Sequence, residues 1–284
     1  MINTKISIII PTYNYGGYIE ETIKSIIYQK GAFDLECIVV DGLSTDNTLE
    51  IIRKYQRLIQ SNNFKPRCRS LNFMWVSEKD RGQSHAINKG LRLSSGEIVN
   101  WINADDTLTM GALGIVSNIF SKNSETNVVF GNSGKINEGD DKVDILYGRS
   151  FSRDELIRRW DSVYVDFFIP QSSCFLRRSL FDKYGYLDED NQFSMDYEFY
   201  LRVNKDNVFY YVDRVLSIDK VHPRSKSIQY QKEQYRESIG VSKKYWRENY
   251  FLYAPSYVLN SLLKLSYRTS YMVKVGLRSL GAKK

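Results

Sequence analysis

Short apolar segments alternate with segments of helical periodicity over the first 120 residues, and this alternation limits the possible folds more than any other feature. Strands are predicted at residues 5–10, 35–40, 72–76 and 97–102. Helices are predicted at residues 17–29, 46–60, 83–93 and 110–120. Such alternation is typical of an α/β fold with a mostly parallel sheet and helices on both faces.

The pattern weakens beyond residue 125, where shorter strands are predicted at residues 128–131, 143–147, 173–176 and 208–212. We expect these strands to extend the same sheet as a second half. The predicted organisation is one large unit over residues 1–228, with halves at 1–125 and 126–228. A basic, helical C-terminal region follows at residues 229–284.

The net charge of +7 is unevenly distributed, because residues 220–284 carry 14 Lys and Arg against three Glu. Within this tail, residues 256–284 place apolar side chains on one side of a helix and Lys264, Arg268, Lys274 and Arg278 on the other. The pattern predicts a helix that binds an anionic membrane surface, or alternatively a helix packed on the body. Nucleic acid is the alternative partner for such a basic, aromatic tail, but we expect no nucleic-acid binding.

The cellular location is predicted from several sequence features together. No apolar run reaches the roughly 18 residues of a membrane-spanning helix. The N-terminus lacks the successive regions of a signal peptide. Cys37, Cys68 and Cys174 are an odd number, which argues against a disulfide framework. The sequence therefore predicts a cytoplasmic protein.

Polar clusters follow each of the four strands predicted in the first half. Ligands bind beyond the carboxyl ends of parallel strands, so four such clusters indicate one common site. The clusters are Pro11-Thr12-Tyr13-Asn14, Asp41-Gly42-Leu43-Ser44-Thr45-Asp46, Ser77-Glu78-Lys79-Asp80-Arg81-Gly82-Gln83-Ser84 and Asn103-Ala104-Asp105-Asp106.

The last cluster places two adjacent carboxylates, Asp105 and Asp106, directly after a buried strand. Like charges repel unless a cation or a set of donors lies between them, so the pair predicts a divalent-cation site. A solvated acidic turn is the alternative. Oxygen ligands suit Mg²⁺ or Mn²⁺, with phosphate oxygens completing the coordination. Zinc is disfavoured, because the chain has two histidines, His85 and His222, and no paired Cys spacing.

Five motifs, taken in order, resemble those of family 2 glycosyltransferases with the GT-A fold, over roughly residues 5–230. They are Pro11-Thr12-Tyr13-Asn14, Asp41-Gly42-x-Ser44-x-Asp46-x-Thr48, Asp80-Arg81-Gly82-Gln83 with Asn88-Lys89-Gly90, Asn103-x-Asp105-Asp106 and Met195-Asp196-Tyr197-Glu198. The resemblance implies a Rossmann-like GT-A sheet and an inverting, metal-dependent sugar transfer from a nucleotide diphosphate donor. The half at 1–125 would then bind the nucleotide-sugar and the half at 126–228 the acceptor.

The resemblance and the donor chemistry of the loops together assign the expected binding residues. Asp106 and Asp105 are expected to bind Mn²⁺ or Mg²⁺, with His222 as a further candidate ligand. Asn103 stands where the family has Asp, which removes one charge from this turn. The residues expected to contact the donor are Pro11, Thr12, Tyr13, Asn14, Asp41, Asp80, Arg81, Ser84, Asn103, Asp105, Ser225 and Lys226.

Asp196 matches the position of the family's catalytic base, which takes a proton from the attacking hydroxyl. The alternative for Asp196 is a helix N-cap, because a helical stretch is predicted at 197–203. Gln171 and Glu198 are predicted to contact the acceptor. Asn88 is expected either to contact the ligand or to tie its helix to a neighbouring loop. The other nearby acids are interpreted as solvated turn residues: Asp182, Asp188, Glu189 and Asp190.

The predicted function is an inverting transfer from a nucleotide diphosphate sugar, with UDP as the expected nucleotide. The expected acceptor is a hydroxyl of a lipid-linked saccharide in cell-surface polysaccharide biosynthesis, on the inner face of the cytoplasmic membrane. Two alternatives remain open at this point. One is a sugar-nucleotide pyrophosphorylase-like enzyme, although residues 11–17 lack the Gly-rich basic loop of that class. The other is a non-catalytic protein that binds a nucleotide-sugar or nucleic acid.

Overall fold

The computed structural model describes residues 4–61, 64–158 and 169–246. Its first half is built on four parallel strands in the spatial order β3-β2-β1-β4. The strands are β1 (Lys5–Thr12), β2 (Gly31–Asp41), β3 (Cys68–Ser77) and β4 (Ile98–Trp101). The helices that follow them are α1 (Ile19–Ile27), α2 (Thr48–Gln60), α3 (Gln83–Leu93) and α4 (Ala112–Lys122). The strand–helix alternation predicted from the sequence is therefore confirmed.

The apolar runs of the central strands supply two cores, one on each face of the sheet. Ile6, Ile8 and Ile10 of β1 pack into one core, while Ile9 packs into the other, and all four are fully buried. This follows from the two-residue period of a strand, which turns successive side chains to opposite faces. The sheet thus carries packed elements on both faces, as a parallel sheet requires.

The close approach of α3 to β1 depends on Gly90. A Cβ atom at this position would lie 2.4 Å from Cγ2 of Ile9, which no real side chain could tolerate without a shift of the helix. Glycine is therefore needed here to seat the helix against the central strand.

The second half extends the same sheet through strand β8, as the sequence predicts. The added strands are β5 (Thr107–Leu108), β6 (Val128–Asn137), β7 (Val143–Leu146), β8 (Cys174–Arg177) and β9 (Phe209–Val221). β8 pairs antiparallel with β4 and with β6, while β9 runs parallel to β6. Within the described residues the whole sheet has nine strands.

Strand β9 is much longer than the predicted 208–212, because it continues past the polar pair Asp213-Arg214. Its pairing with β6 shifts register at Asn132, which accommodates the interruption of the apolar pattern. The added length brings Asp219 and Lys220 to the edge of the sheet where the parallel strands end.

Five further helices cover this half: α5 (Arg153–Ile157), α6 (Ser179–Tyr184), α7 (Met195–Val203), α8 (Lys226–Gln229) and α9 (Gln231–Tyr245). A short 3₁₀ turn spans Gln171–Ser173. Val241 of α9 and the following Trp246 are buried in the same core as Phe199 of α7. Helix α9 is thus packed on the second half of the sheet.

Cys37, Cys68 and Cys174 are buried free thiols. Across the part of the chain that the structure describes, every helix is too short or too polar to span a bilayer. The amphipathic helix predicted at 256–284 lies outside the described residues.

Candidate active site

A cavity of about 540 Å³ opens at the carboxyl ends of the parallel strands and takes its walls from both halves of the sheet. This is the location expected for a ligand site in such a sheet. The predicted site residues that line it are Pro11, Thr12, Tyr13, Asp80, Asn103, Asp105, Asp106, Gln171, Asp196, Ser225 and Lys226. Six predicted residues do not line it: Asn14, Asp41, Arg81, Ser84, Glu198 and His222.

Asp106 is the most constrained acid of the cavity, with only 6% of its surface exposed. One carboxylate oxygen accepts a hydrogen bond from the backbone N–H of Lys220 at 3.1 Å, and the other accepts from Nδ2 of Asn103 at 2.9 Å. Burial, together with the negative charges of Asp219 and Asp105, raises the pKa of Asp106 well above its usual range. The site therefore holds more negative charge than its own donors satisfy.

Asp219 on β9 is the third acid of this group, and the sequence analysis missed it. It accepts hydrogen bonds from the hydroxyls of Ser172 at 2.5 Å and Ser133 at 3.1 Å. Burial raises the pKa of Asp219, and the neighbouring Asp105 adds to the effect. One sequence signal could have found it, since Ser217 and Asp219 are polar residues two apart and therefore lie on the same face of a strand.

The amide at Asn103 has a specific place in this arrangement. The ammonium of Lys226 donates to Oε1 of Gln83 at 2.9 Å, and Nε2 of Gln83 donates to Oδ1 of Asn103 at 2.6 Å. Asn103 in turn donates to Asp106. A carboxylate could accept from Gln83 but could not donate to Asp106, and it would add a fourth negative charge. These contacts explain how the turn accommodates Asn where the family has Asp.

His222 orients Asp105 and does not present a free nitrogen to the cavity. Its ring stacks on Tyr18 with centroids 4.3 Å apart. Nδ1 accepts from the backbone N–H of Arg224 at 3.2 Å, so Nε2 carries the proton that is donated to Asp105 at 2.9 Å. A metal ligand needs an unprotonated nitrogen, so His222 would have to release Asp105 to bind an ion, and its metal role stays a prediction.

The loop after His222 brings two donors to the cavity wall. The backbone N–H of His222 donates to the hydroxyl of Ser225 at 3.0 Å, and the backbone N–H of Ser225 donates back to the carbonyl of His222 at 2.9 Å. This closed turn starts α8 and places Lys226 beside it on the wall. Burial lowers the pKa of the Lys226 ammonium, although Glu237 and Asp80 oppose the shift.

Asp41 and Asn14 form an internal hydrogen-bond system next to the cavity. Asp41 is fully buried and accepts from the hydroxyl of Ser77 at 2.6 Å and from the backbone N–H and hydroxyl of Ser44. Oδ1 of Asn14 accepts from the backbone N–H of Thr45 at 2.8 Å. Both side chains thus hold the loops of β1 and β2 together, and the structure does not bring them to the cavity.

The start of α3 is likewise tied to a neighbouring loop. Nδ2 of Asn88 donates to the carbonyl of Leu187 at 2.9 Å and to Glu189 at 3.0 Å, as the structural interpretation of Asn88 requires. Arg81 pairs with Glu189, and the hydroxyl of Ser84 donates to the carbonyl of Asn191 at 2.8 Å. The interpretation of Glu189 as a solvated turn residue is wrong, because its carboxylate joins this loop to α3.

Asp196 is the second residue of α7, and Ser194 occupies the cap position of that helix. The N-cap alternative for Asp196 is therefore wrong. No hydrogen bond or ion pair ties its partly exposed carboxylate to another described residue. Glu198 instead forms an ion pair with Arg202 at 2.8 Å, inside the same helix and away from the cavity. Gln171 lines the cavity and donates to the carbonyl of Trp101.

Two buried polar atoms of lining residues, Oγ1 of Thr12 and Nε1 of Trp101, have no hydrogen-bond partner among the described residues. An unpaired buried donor or acceptor costs about 1–3 kcal/mol, which a bound ligand with complementary atoms could recover. Their presence on lining residues agrees with a cavity that is built to bind a polar molecule.

The family model of Glycosyl transferase family 2 matches residues 7–185, which is more than half of the chain. This chain belongs to glycosyl transferase family 2. The poly(ribitol-phosphate) beta-N-acetylglucosaminyltransferase TarP of Staphylococcus aureus is 30% identical over 138 residues, covering 48% of this chain and 38% of TarP. The chondroitin synthase of Escherichia coli is 24% identical over 266 residues, covering 92% of this chain and 36% of that protein. The chain spans 28% to 40% of the length of the first curated relatives that it matches.

Solved structures confirm the predicted GT-A fold. Staphylococcus aureus TarS 1–349 in complex with UDP-GlcNAc superposes with a TM-score of 0.63 at 19% identity, covering 84% of this chain and 66% of that one. The mannosyltransferase PcManGT of Pyrobaculum calidifontis, in complex with GDP-Man and Mn²⁺, gives a TM-score of 0.57 at 18% identity, covering all of this chain and 89% of that one.

The donor set of this family 2 member fits a divalent cation, although the described residues contain no cluster of three His, Cys, Asp or Glu able to enclose one. Asp106 is a buried carboxylate that the partly buried Asp105 and Asp219 repel, and hard cations prefer such oxygens. Mg²⁺ and related ions commonly take one or two carboxylates and complete their coordination with phosphate oxygens. Asp105 and Asp106 are therefore the residues that would hold the ion.

Proposed function

We propose that this chain is the catalytic part of an inverting glycosyltransferase that moves a sugar from a UDP-sugar to a hydroxyl of a saccharide acceptor. The observation that carries the proposal is a single cavity shared by Asp105 and Asp106 at the end of β4 and by Asp196 at the start of α7. Asp105 and Asp106 suit a divalent cation that binds the diphosphate of the donor. The other acid, Asp196, is unpaired among the described residues and available to accept a proton.

The transfer needs one new bond, one broken bond and one proton transfer. The acceptor oxygen attacks the anomeric carbon, and the bond from that carbon to the diphosphate breaks with its electrons leaving on the diphosphate. Asp196 takes the proton of the attacking hydroxyl as general base, which contributes about 10²- to 10⁴-fold to the rate. Attack opposite the leaving group inverts the anomeric configuration.

The residues that hold the donor lie in the loops at the ends of the strands. A bound divalent ion would neutralise the charge that develops on the leaving diphosphate. Lys226 and Ser225 supply an ammonium and a hydroxyl for phosphate oxygens. Pro11, Thr12 and Tyr13, on the same wall as Asp80, are the lining residues proposed to surround the base and ribose.

The donor nucleotide and the acceptor are inferred from relatives and from the charge pattern of the C-terminal residues. The complex of TarS with UDP-GlcNAc supports a UDP-sugar, and relatives named chondroitin synthase and hyaluronan synthase support a saccharide acceptor. A lipid-linked acceptor and a position on the inner face of the cytoplasmic membrane rest on the basic pattern of residues 256–284. We expect binding to anionic vesicles that weakens at high salt, because attraction to an anionic surface is screened.

The test is a panel of nucleotide-sugars assayed for thermal shift and slow donor hydrolysis, with Mn²⁺, Mg²⁺ or EDTA. We expect one donor to raise the melting temperature and to be hydrolysed only with the cation. Asp141→Ala serves as the control, because Asp141 is an exposed acid outside the cavity. Absence of any metal-dependent shift across the panel would refute the proposal.

A further inference from the structure

Glu237 of helix α9 places its carboxylate against three successive backbone N–H groups of a distant loop. One oxygen accepts from Phe193 and from Ser194, both at 2.7 Å, and the other accepts from Gln192 at 3.2 Å. The N–H of Ser194 is shared with Oδ1 of Asn191 at 3.0 Å. A carboxylate that accepts several N–H groups makes charge-assisted bonds, which are stronger than neutral ones.

The loop held in this way leads directly into helix α7, which begins at Met195. The first N–H groups of a helix lack partners within the helix, and a nearby negative charge is favourable there. Ser194 occupies the cap position of α7, but its side chain makes no capping hydrogen bond. Its hydroxyl instead pairs with that of Ser238 at 2.7 Å. Glu237 thus supplies the negative group at this helix end from another part of the chain.

The same loop and helix carry residues of the cavity. Gln192 and Phe193 line it directly, and Asp196 follows two residues after Ser194. Asp196 has no hydrogen bond or ion pair of its own among the described residues, so the direction of its carboxylate depends on the position of the helix start. The ring of Phe193 also packs on Tyr230 at the start of α9, with centroids 5.3 Å apart.

We propose that Glu237 is a positioning residue for the transfer reaction, which holds the first turn of α7 so that Asp196 faces the acceptor hydroxyl. This inference rests on the proposed function. It assigns a part in the reaction to α9, which the motifs of the sequence do not include. A shift of about 1 Å in a reacting group can lower a rate about 100-fold, so a loosened helix start has a measurable effect.

The test compares Glu237→Ala and Glu237→Gln with Glu233→Gln, a matched control one turn earlier on α9 whose side chain is exposed. We expect Glu237→Ala to lower kcat about 10- to 100-fold. Glu237→Gln keeps one carbonyl oxygen as acceptor and should lower kcat less. The KM for the donor should change less than kcat, although the charge of Glu237 acts on Lys226, and the control should match the wild type in both constants.

Two further measurements separate positioning from a general loss of structure. Circular dichroism gives the folded fraction, and hydrogen exchange reports on the amides of residues 192–196. Positioning requires faster exchange at these amides in Glu237→Ala, with kcat per folded molecule reduced. An unchanged kcat, or a fall in kcat equal to the fall in folded fraction, overturns the inference.

The failure of the proposed function is distinguishable from the failure of this inference. If the wild-type protein transfers no sugar from any donor, the proposed function fails. The exchange measurement then decides whether Glu237 holds the helix start, since it needs no activity. Equal exchange at residues 192–196 in Glu237→Ala and in the control would overturn the inference in that case.

Discussion

The ends of β2 and β4 each carry a buried carboxylate, but the surroundings of the two differ. Asp41, at the end of β2, accepts hydrogen bonds from Ser44 and Ser77 and lies outside the cavity. Asp106, after β4, accepts only two hydrogen bonds from the residues that the structure describes and is repelled by Asp105 and Asp219.

The difference separates a structural acid from a ligand-binding acid. A carboxylate whose oxygens are already satisfied by protein donors stabilises the fold and gains little from a ligand. A buried carboxylate with like-charged neighbours is destabilised until a cation arrives. Both residues belong to motifs of the same family, so the motif alone does not separate the two cases.

The largest expected effect comes from Asp106→Ala. Turnover should fall below detection, and the metal-dependent thermal shift with donor should disappear, because a divalent ion contributes several kcal/mol to leaving-group stabilisation. The metal-free protein should be at least as stable as the wild type, since a repelled buried charge is removed. Turnover close to that of Asp141→Ala would show that Asp106 does not bind the metal.

Asp196→Asn should lower the transfer rate by about 10²- to 10⁴-fold, because the positioned base is lost. Donor affinity measured by calorimetry should not change. Glu198→Gln, two residues further along α7, breaks the ion pair with Arg202 and should lower stability rather than transfer per folded molecule. A similar loss of transfer in both variants would show that the helix as a whole, and not one carboxylate, is responsible.

Asp41→Asn should lower the free energy of unfolding by about 1–3 kcal/mol, because donors of Ser44 and Ser77 lose a charged acceptor. Urea denaturation measures this change. Ser77→Ala, which removes one of the partners, should have a smaller effect. Unchanged stability together with lost donor binding would instead support the base-binding role first predicted for Asp41.

The smallest expected effect concerns Glu20, which accepts from Lys54 at 2.9 Å and from the hydroxyl of Tyr55 at 2.8 Å. The hydrogen bond from Lys54, followed by those from Tyr55 and Lys24, lowers the pKa of Glu20 from 4.5 to about 2. The stabilisation is therefore complete above pH 4.5 and is lost as the pH falls towards 2.

Glu20→Gln should cost no more than about 1 kcal/mol at pH 7, because the group is partly exposed and solvent screens it. Urea denaturation of both proteins at several pH values measures the difference, which should shrink between pH 4.5 and pH 2. A difference that is constant over this range would mean that charge is not the cause.

Much of the fold was predictable because it depends on local patterns. The apolar runs of β1 to β4 and the periodicity of α1 to α4 identify a parallel sheet without knowledge of any contact. The boundaries of α3 were predicted correctly, whereas β9 was predicted too short, because Asp213 and Arg214 interrupt its apolar pattern. The sequence gives no sign that β6 would pair with the extended strand through a register shift.

The sequence by itself determined the edge of the sheet at which a site would form, because the side chains at the ends of parallel strands necessarily meet there. Only the tertiary structure decided which acids remain available. Donors from distant positions satisfy Asp41 and Glu189, while Asp219 arrives beside Asp106 from 113 residues further along the chain. Hydrogen-bond satisfaction and like-charge repulsion depend on distances in space, and no local pattern records them.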